Sequence, residues 1–218
     1  REQTERHHRY HDTAYNLEPN VKQSPGGLRD LQTIGWVAKR HFGADTLQEL
    51  ANHGFLTVRE LAQLQSAQSY LWRIRFALHV VTQRREDRLL FDHQIRLARM
   101  FGYEDATYTL AVEQFMQRYY RTAMFVSWLN ELLLQHFREE ILADRDAPAL
   151  PLSRYFQERD EYLEVTGDDV FVRNPSALLE LFLVLQQNPA LKGVRANTIR
   201  LVTQNLWLID EEFRQNPR

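Results

Sequence analysis

Lys22, Gly26, Gly27 and Arg29 fall close together in the run Tyr15-Asn16-Leu17-Glu18-Pro19-Asn20-Val21-Lys22-Gln23-Ser24-Pro25-Gly26-Gly27-Leu28-Arg29-Asp30. Such a set suits the binding of an anion, above all a phosphate. Two glycines let the backbone turn with no side chain in the way and present amides where a helix begins. The N-terminus of that helix carries partial positive charge, and a lysine and an arginine flank it. Pro19 and Pro25 push Glu18 and Ser24 into extended geometry, so the stretch from Leu17 to Ser24 is expected to be a loop. Asn16 and Glu18 either fix that loop or touch a ligand. A competing reading has Glu18, Lys22, Arg29 and Asp30 pairing among themselves to lock the loop onto a helical core.

Three other groups could do chemistry. His7, His8, His11 and Asp12 invite metal ligation, but no third ligand stands at a recognisable spacing, so a solvated entry helix or linker with its histidines outside is expected. Arg73 and Arg75 lie two apart on a helix and point to different sides, so they are expected to reach out of the core separately, with His79 satisfied and partly buried. Asp144-Arg145-Asp146 has the spacing of the carboxylate pair used in metal-dependent nucleotidyl transfer. That pair belongs on a strand beside a Gly-Ser turn, whereas this one sits at a helix end beside prolines, and no metal site is assigned to the chain.

The elements that must hold these residues are mostly helices. Leu28, Leu31, Ile34, Val37 and Ala38 recur at helical spacing until Gly43, and a short helix follows at about Leu47 to Ala51. Thr57 and Glu60 form a capping box that starts a long helix running toward Arg84. The segment Arg84 to Arg88 reads as a solvated connection. A further helix spans Gln94 to Phe101, and from about Thr107 to Leu142 the helical period is almost unbroken. Tyr162–Val165 and Val170–Val172 are strand-prone runs around Thr166-Gly167-Asp168-Asp169, which predicts a β-hairpin. Two C-terminal helices are expected, one from Ala177 to Gln187 and one from about Asn197 to Ile209. The expected fold is therefore mainly α: a multi-helix bundle with long antiparallel helices and one small β-hairpin near 162–172. Its expected divisions are a linker and entry loop at 1–26, the main bundle at 27–143, a linker at 144–153, and the hairpin plus C-terminal helices at 154–218, packed on the bundle.

Composition narrows the class. With 44% hydrophobic residues, a sizeable core is affordable, and the lack of cysteine leaves no disulfide, thiolate metal site or cysteine nucleophile. A net charge of −2 argues against nucleic-acid binding. No apolar stretch is long enough for a membrane span or a signal peptide, so a cytoplasmic setting is expected. The chain starts at an arginine, as an excised piece of a longer protein would.

The run at 15–30, with Trp36-Val37-Ala38-Lys39-Arg40-His41-Phe42-Gly43 after it, closely resembles the bacterial PII uridylyltransferase/uridylyl-removing family. The likeness continues in Gly54-Phe55-Leu56-Thr57, in Leu71-Trp72-Arg73-Ile74-Arg75-Phe76-Ala77-Leu78-His79, in Arg88-Leu89-Leu90-Phe91-Asp92 and from Val170 to Leu179. Glutamine synthetase adenylyltransferase has a related Lys…Gly-Gly-Ile-Arg-Glu element, so the Gly-Gly-x-Arg-acid core marks a wider group.

The resemblance implies a four-part enzyme: a nucleotidyltransferase domain, a helical domain, a His-Asp phosphohydrolase domain and two glutamine-sensing ACT domains. This chain matches the helical domain. The implied chemistry is transfer of UMP from UTP to a tyrosine of the PII signal protein, with Mg²⁺ bound upstream of this chain, and its removal when glutamine is high. It further implies that this fragment is inactive alone; because the triphosphate needs cationic and amide partners, Lys22, Arg29 and the amides of Gly26 and Gly27 are expected to face the nucleotide cleft, while Asn16 and Glu18 fix the loop or touch the base and ribose. The alternatives are a non-catalytic scaffold that docks PII or the neighbouring domains, and the equivalent region of a related adenylyltransferase.

Overall fold

Ten α-helices and a four-stranded sheet form among the residues described by this computed structural model: 2–9, 14, 16–43, 45–141 and 148–215. The chain divides into two compact units, Arg1–Glu131 and Leu132–Arg218, and the division falls inside a long helix. His11, Asp144 and Asp146, named above for their possible chemistry, lie outside the described residues.

Unit 1 holds α1 (Glu2–Arg9), α2 (Leu28–Phe42), α3 (Leu47–Asn52), α4 (Val58–Thr82), α5 (Phe91–Met100) and the first two thirds of α6 (Ala111–Ile141). Local chemistry sets the ends. Gly43 stops α2 in the left-handed conformation at φ 63°, where its amide donates to the Lys39 carbonyl at 3.1 Å. Thr57 and Glu60 make the expected capping box: the threonine hydroxyl accepts from the Glu60 amide at 3.1 Å, and the glutamate accepts from the Thr57 amide at 2.8 Å. α6 contains neither glycine nor proline, and at ~1.5 Å per residue its 31 residues run about 46 Å.

Leu31 and Ile34 of α2, Leu64, Leu71, Ile74 and Leu78 of α4, Leu97 of α5, and Phe115, Tyr119 and Val126 of α6 are all buried. Each contributes roughly 2 kcal/mol by leaving water. The arginines two apart on α4 separate as their spacing requires: the Arg73 guanidinium lies over Phe101, and Arg75 turns to Asp87.

Unit 2 carries β1 (Leu150–Pro151), β2 (Phe156–Arg159), β3 (Tyr162–Val165), α7 (Val170–Arg173), α8 (Ala177–Gln187), β4 (Gly193–Val194), α9 (Ala196–Asn205) with a 3₁₀ turn at Leu206–Leu208, and α10 (Glu211–Gln215). The sheet order is β1-β2-β3-β4, antiparallel except for the parallel β3/β4 pair. A hairpin exists, but one element earlier than expected. Phe156 pairs with Val165 and Arg159 with Tyr162, and the turn is Asp160-Glu161, both at positive φ (53° and 64°) as a tight hairpin turn demands. Val170-Phe171-Val172 is not a strand but the body of α7. Val170 and Phe171 are buried among Phe156, Leu163 and Leu178, and this packing overrides their strand preference.

Candidate functional site

The stretch from Asn16 to Asp30 is laced to segments distant in the sequence of unit 1. The Tyr120 hydroxyl donates to the Asn16 carbonyl at 3.1 Å, and Gln94 Nε2 donates to the Leu17 carbonyl at 2.7 Å. The Leu89 amide donates to the Pro19 carbonyl at 2.8 Å, the Val21 amide to the Asp87 carbonyl at 2.8 Å, and Asn20 forms an antiparallel bridge with Arg88. The expectation that residues 84–88 form a merely solvated connection is therefore corrected. Asp87 is pinned by Arg75 Nε at 2.7 Å and His79 Nε2 at 3.2 Å, and its carbonyl carries the loop. Burial pushes the Asp87 carboxyl up, but hydrogen bonds from Arg75 and His79, with their charge, more than offset this and hold it below the ordinary value.

Asn16 and Glu18 both fix the loop. Asn16 Oδ1 accepts from the Glu18 amide at 3.1 Å. Glu18 Oε1 accepts from the Phe91 amide at 3.0 Å, across 73 positions of sequence. It thereby caps α5, whose own N-cap residue Leu90 has no side chain able to do so.

Gly26 and Gly27 face inward. The Gly26 amide donates to Asp30 Oδ2 at 2.7 Å and the Gly27 amide to the Ser24 carbonyl at 2.9 Å. The expectation of two amides held free for a phosphate is corrected by this. The anion at the start of α2 is the protein's own Asp30, three residues past the Gly27 N-cap, where a carboxylate complements the positive end of the helix dipole, while the amides of Leu28, Arg29 and Asp30 donate to the carbonyls of Val21, Lys22 and Gly27. The glycines are needed because the backbone comes close to other backbone. A Cβ on Gly27 would lie 2.7 Å from the Val21 carbonyl oxygen.

Asp30 itself is fully buried and was not recognised as a centre from its sequence neighbours. Arg6 Nη2 donates to its Oδ1 at 2.7 Å, and His7 Nε2 lies 3.0 and 3.1 Å from its two oxygens. Burial pushes the carboxyl up, while hydrogen bonds from His7 and Arg6 and their positive charge outweigh it and hold the group below its ordinary value. The expectation that the histidines of α1 sit outside thus fails for His7, although His8 is exposed. The only sequence signal for this centre was an acidic residue in the first turn of a helix that lacks a side-chain cap.

Lys22 and Arg29 remain. Both side chains are partly exposed, and neither has a carboxylate partner among the described residues, so the competing reading, in which Glu18, Lys22, Arg29 and Asp30 pair among themselves, does not hold. The Arg29 guanidinium lies over the Trp36 ring, 5.4 Å from its centroid. Two cations on a loop held from both sides can meet an anion with little reorganisation. No group of three or more His, Cys, Asp or Glu among the described residues is placed to hold a metal ion.

Fold and loop define a helical module that offers cations and, among the described residues, no group of carboxylates placed to hold a metal ion. A family model described as GlnD PII-uridylyltransferase matches residues 1–134, and one described as Uridylyltransferase GlnD third domain matches residues 156–218. The bifunctional uridylyltransferase/uridylyl-removing enzyme of Pseudomonas aeruginosa (strain LESB58) is 56% identical over 218 residues, which is 100% of this chain and 24% of the relative. The protein of that name from Nitrosococcus oceani is 56% identical over 214 residues, 98% of this chain and 24% of its own length. That from Ectopseudomonas mendocina (strain ymp) is 53% identical over 218 residues, again 100% of this chain and 24% of the relative. No solved structure matches the chain. The chain belongs to the GlnD PII-uridylyltransferase family and spans 24% of the length of these curated relatives.

Proposed function

We propose that this chain is the helical, cleft-completing part of a larger uridylyltransferase, inactive by itself, in which Lys22 and Arg29 meet the phosphates of UTP. The parent enzyme would transfer UMP to the PII protein and remove it again, in the cytoplasm. Mg²⁺ would be bound by carboxylates of an upstream nucleotidyltransferase domain, and a His-Asp hydrolase domain would follow. With the metal held upstream, this chain's share would be to neutralise charge and to position the nucleotide.

The observation that carries the reading is the lack of any carboxylate partner for Lys22 and Arg29 among the described residues, on a loop where Glu18 and Asp30 are both engaged elsewhere. The lacing of Asn16, Glu18, Gly26 and Gly27 into unit 1 favours a second reading, a scaffold that holds the neighbouring domains or docks PII.

Arg29→Ala and Lys22→Ala in the full-length enzyme separate the two. Loss of a cation at the phosphates should lower kcat/KM for UTP on the order of 100-fold with thermal stability unchanged. Unchanged turnover and KM for UTP would remove the phosphate role and leave the scaffold.

A further inference from the structure

A cleft of about 340 Å³ lies between α2, α3 and α4, and Trp36, Trp72, Gln32, Gln68, Leu31 and Leu50 are among the residues that line it. Leu31 and Leu50 are buried beneath it, whereas Trp36 and Trp72 are 54% and 45% exposed. Large aromatic surface left in water inside a concave site is costly unless something covers it. Both rings are held in place. The Arg29 guanidinium lies 5.4 Å from the Trp36 centroid, and that of Arg75 lies 5.4 Å from the Trp72 centroid.

Between apolar floor and aromatic walls stand two carboxamides, Gln32 and Gln68, and neither has a hydrogen-bond partner among the described residues. A carboxamide offers one acceptor and two donors. The uracil edge presents the complement, an N–H donor flanked by two carbonyl acceptors, and pairing of a glutamine amide with a base edge is a standard mode of base recognition.

We propose that this cleft is the base subsite of the enzyme, receiving a pyrimidine ring against Trp36 and Trp72 with its edge on Gln32 and Gln68. The proposal rests on the nucleotide-facing reading above and extends it, because Arg29, assigned there to the phosphates, also backs Trp36. The aromatic walls supply affinity and the amides supply the choice of base. The residues lining the cleft fall between Leu28 and Trp72, so binding of the base can be tested on this chain.

The test uses the ¹⁵N-labelled chain and uridine, which has the ring but no phosphate. The indole N–H signals of Trp36 and Trp72 and the side-chain amides of Gln32 and Gln68 should shift together with one dissociation constant of about 1 mM. The indoles of Trp128 and Trp207 should stay still. Trp72→Phe should keep the binding, and Trp72→Leu should weaken it about tenfold. If saturating uridine moves none of the four side chains, or moves all four tryptophans alike, the base subsite is wrong. Inorganic triphosphate, added to a version extended through the upstream domain, probes Lys22 and Arg29 separately. A response to triphosphate without a response to uridine overturns the base subsite alone, and the reverse overturns the phosphate role alone.

Discussion

A Cβ placed on Gly26 would stand 1.9 Å from the carbonyl oxygen of Ala123 in α6. The entry loop and the long helix meet backbone to backbone there, with no side chain between them. Gly26 also has φ 76°, which L residues with side chains seldom adopt.

Gly26→Ala should therefore destabilise the chain by about 3 kcal/mol or more, since strain and collision add and neither backbone can step aside. Gly43→Ala is the matched control: its φ is 63° and nothing lies within 4 Å of the new methyl, so only the conformational cost of about 1 kcal/mol applies. Urea unfolding of both variants reads the difference. Equal losses would mean that the loop is not seated on Ala123.

Asp30→Asn should cost about 3 kcal/mol, because Arg6 stays buried with only the exposed Glu2, 3.4 Å from its Nε, as counter-charge. The same carboxylate links stability to acid. Its native pKa is lowered, so its contribution is fully present above the ordinary value of 3.8 and is withdrawn as pH falls through the lowered native value. Stability measured against pH should thus fall more steeply below 3.8 in the parent chain than in Asp30→Asn. Parallel acid limbs for the two proteins would refute the assignment.

Glu18→Ala should cost about 1 kcal/mol, the usual loss when a helix end gives up its side-chain cap. The effect should be local. The Phe91 amide, which now donates to Glu18, should exchange with solvent faster, while amides in the middle of α4 keep their protection. Unaltered exchange at Phe91 would show that the cap is not formed in solution.

Much of the helical frame was legible in the sequence, because α2, α4 and α6 are long enough for their apolar period to speak clearly and Thr57 announces its own helix. The hairpin was displaced because Asp160-Glu161 carries no glycine to mark its positive φ angles, while Gly167 lies in the turn that leads into α7. The loop was harder for a different reason. A glycine pair signals close approach of backbone to something, and sequence cannot distinguish a phosphate from the chain's own Ala123. Asp30 was weighed against the charges nearest to it, whereas its partners Arg6 and His7 lie on the far side of the loop and become neighbours only in the fold.

The lacing of the loop has a consequence for the order of synthesis. Residues 16–30 leave the ribosome well before the residues that hold them, and Tyr120 follows Asn16 by 104 positions. At ~5–20 residues per second that is a wait of about 5–20 s. Arg6 precedes the loop and can meet Gln23 and Asp30 early, whereas the hydrogen bonds from Gln94 and Tyr120 can form only once α5 and the first half of α6 have been made.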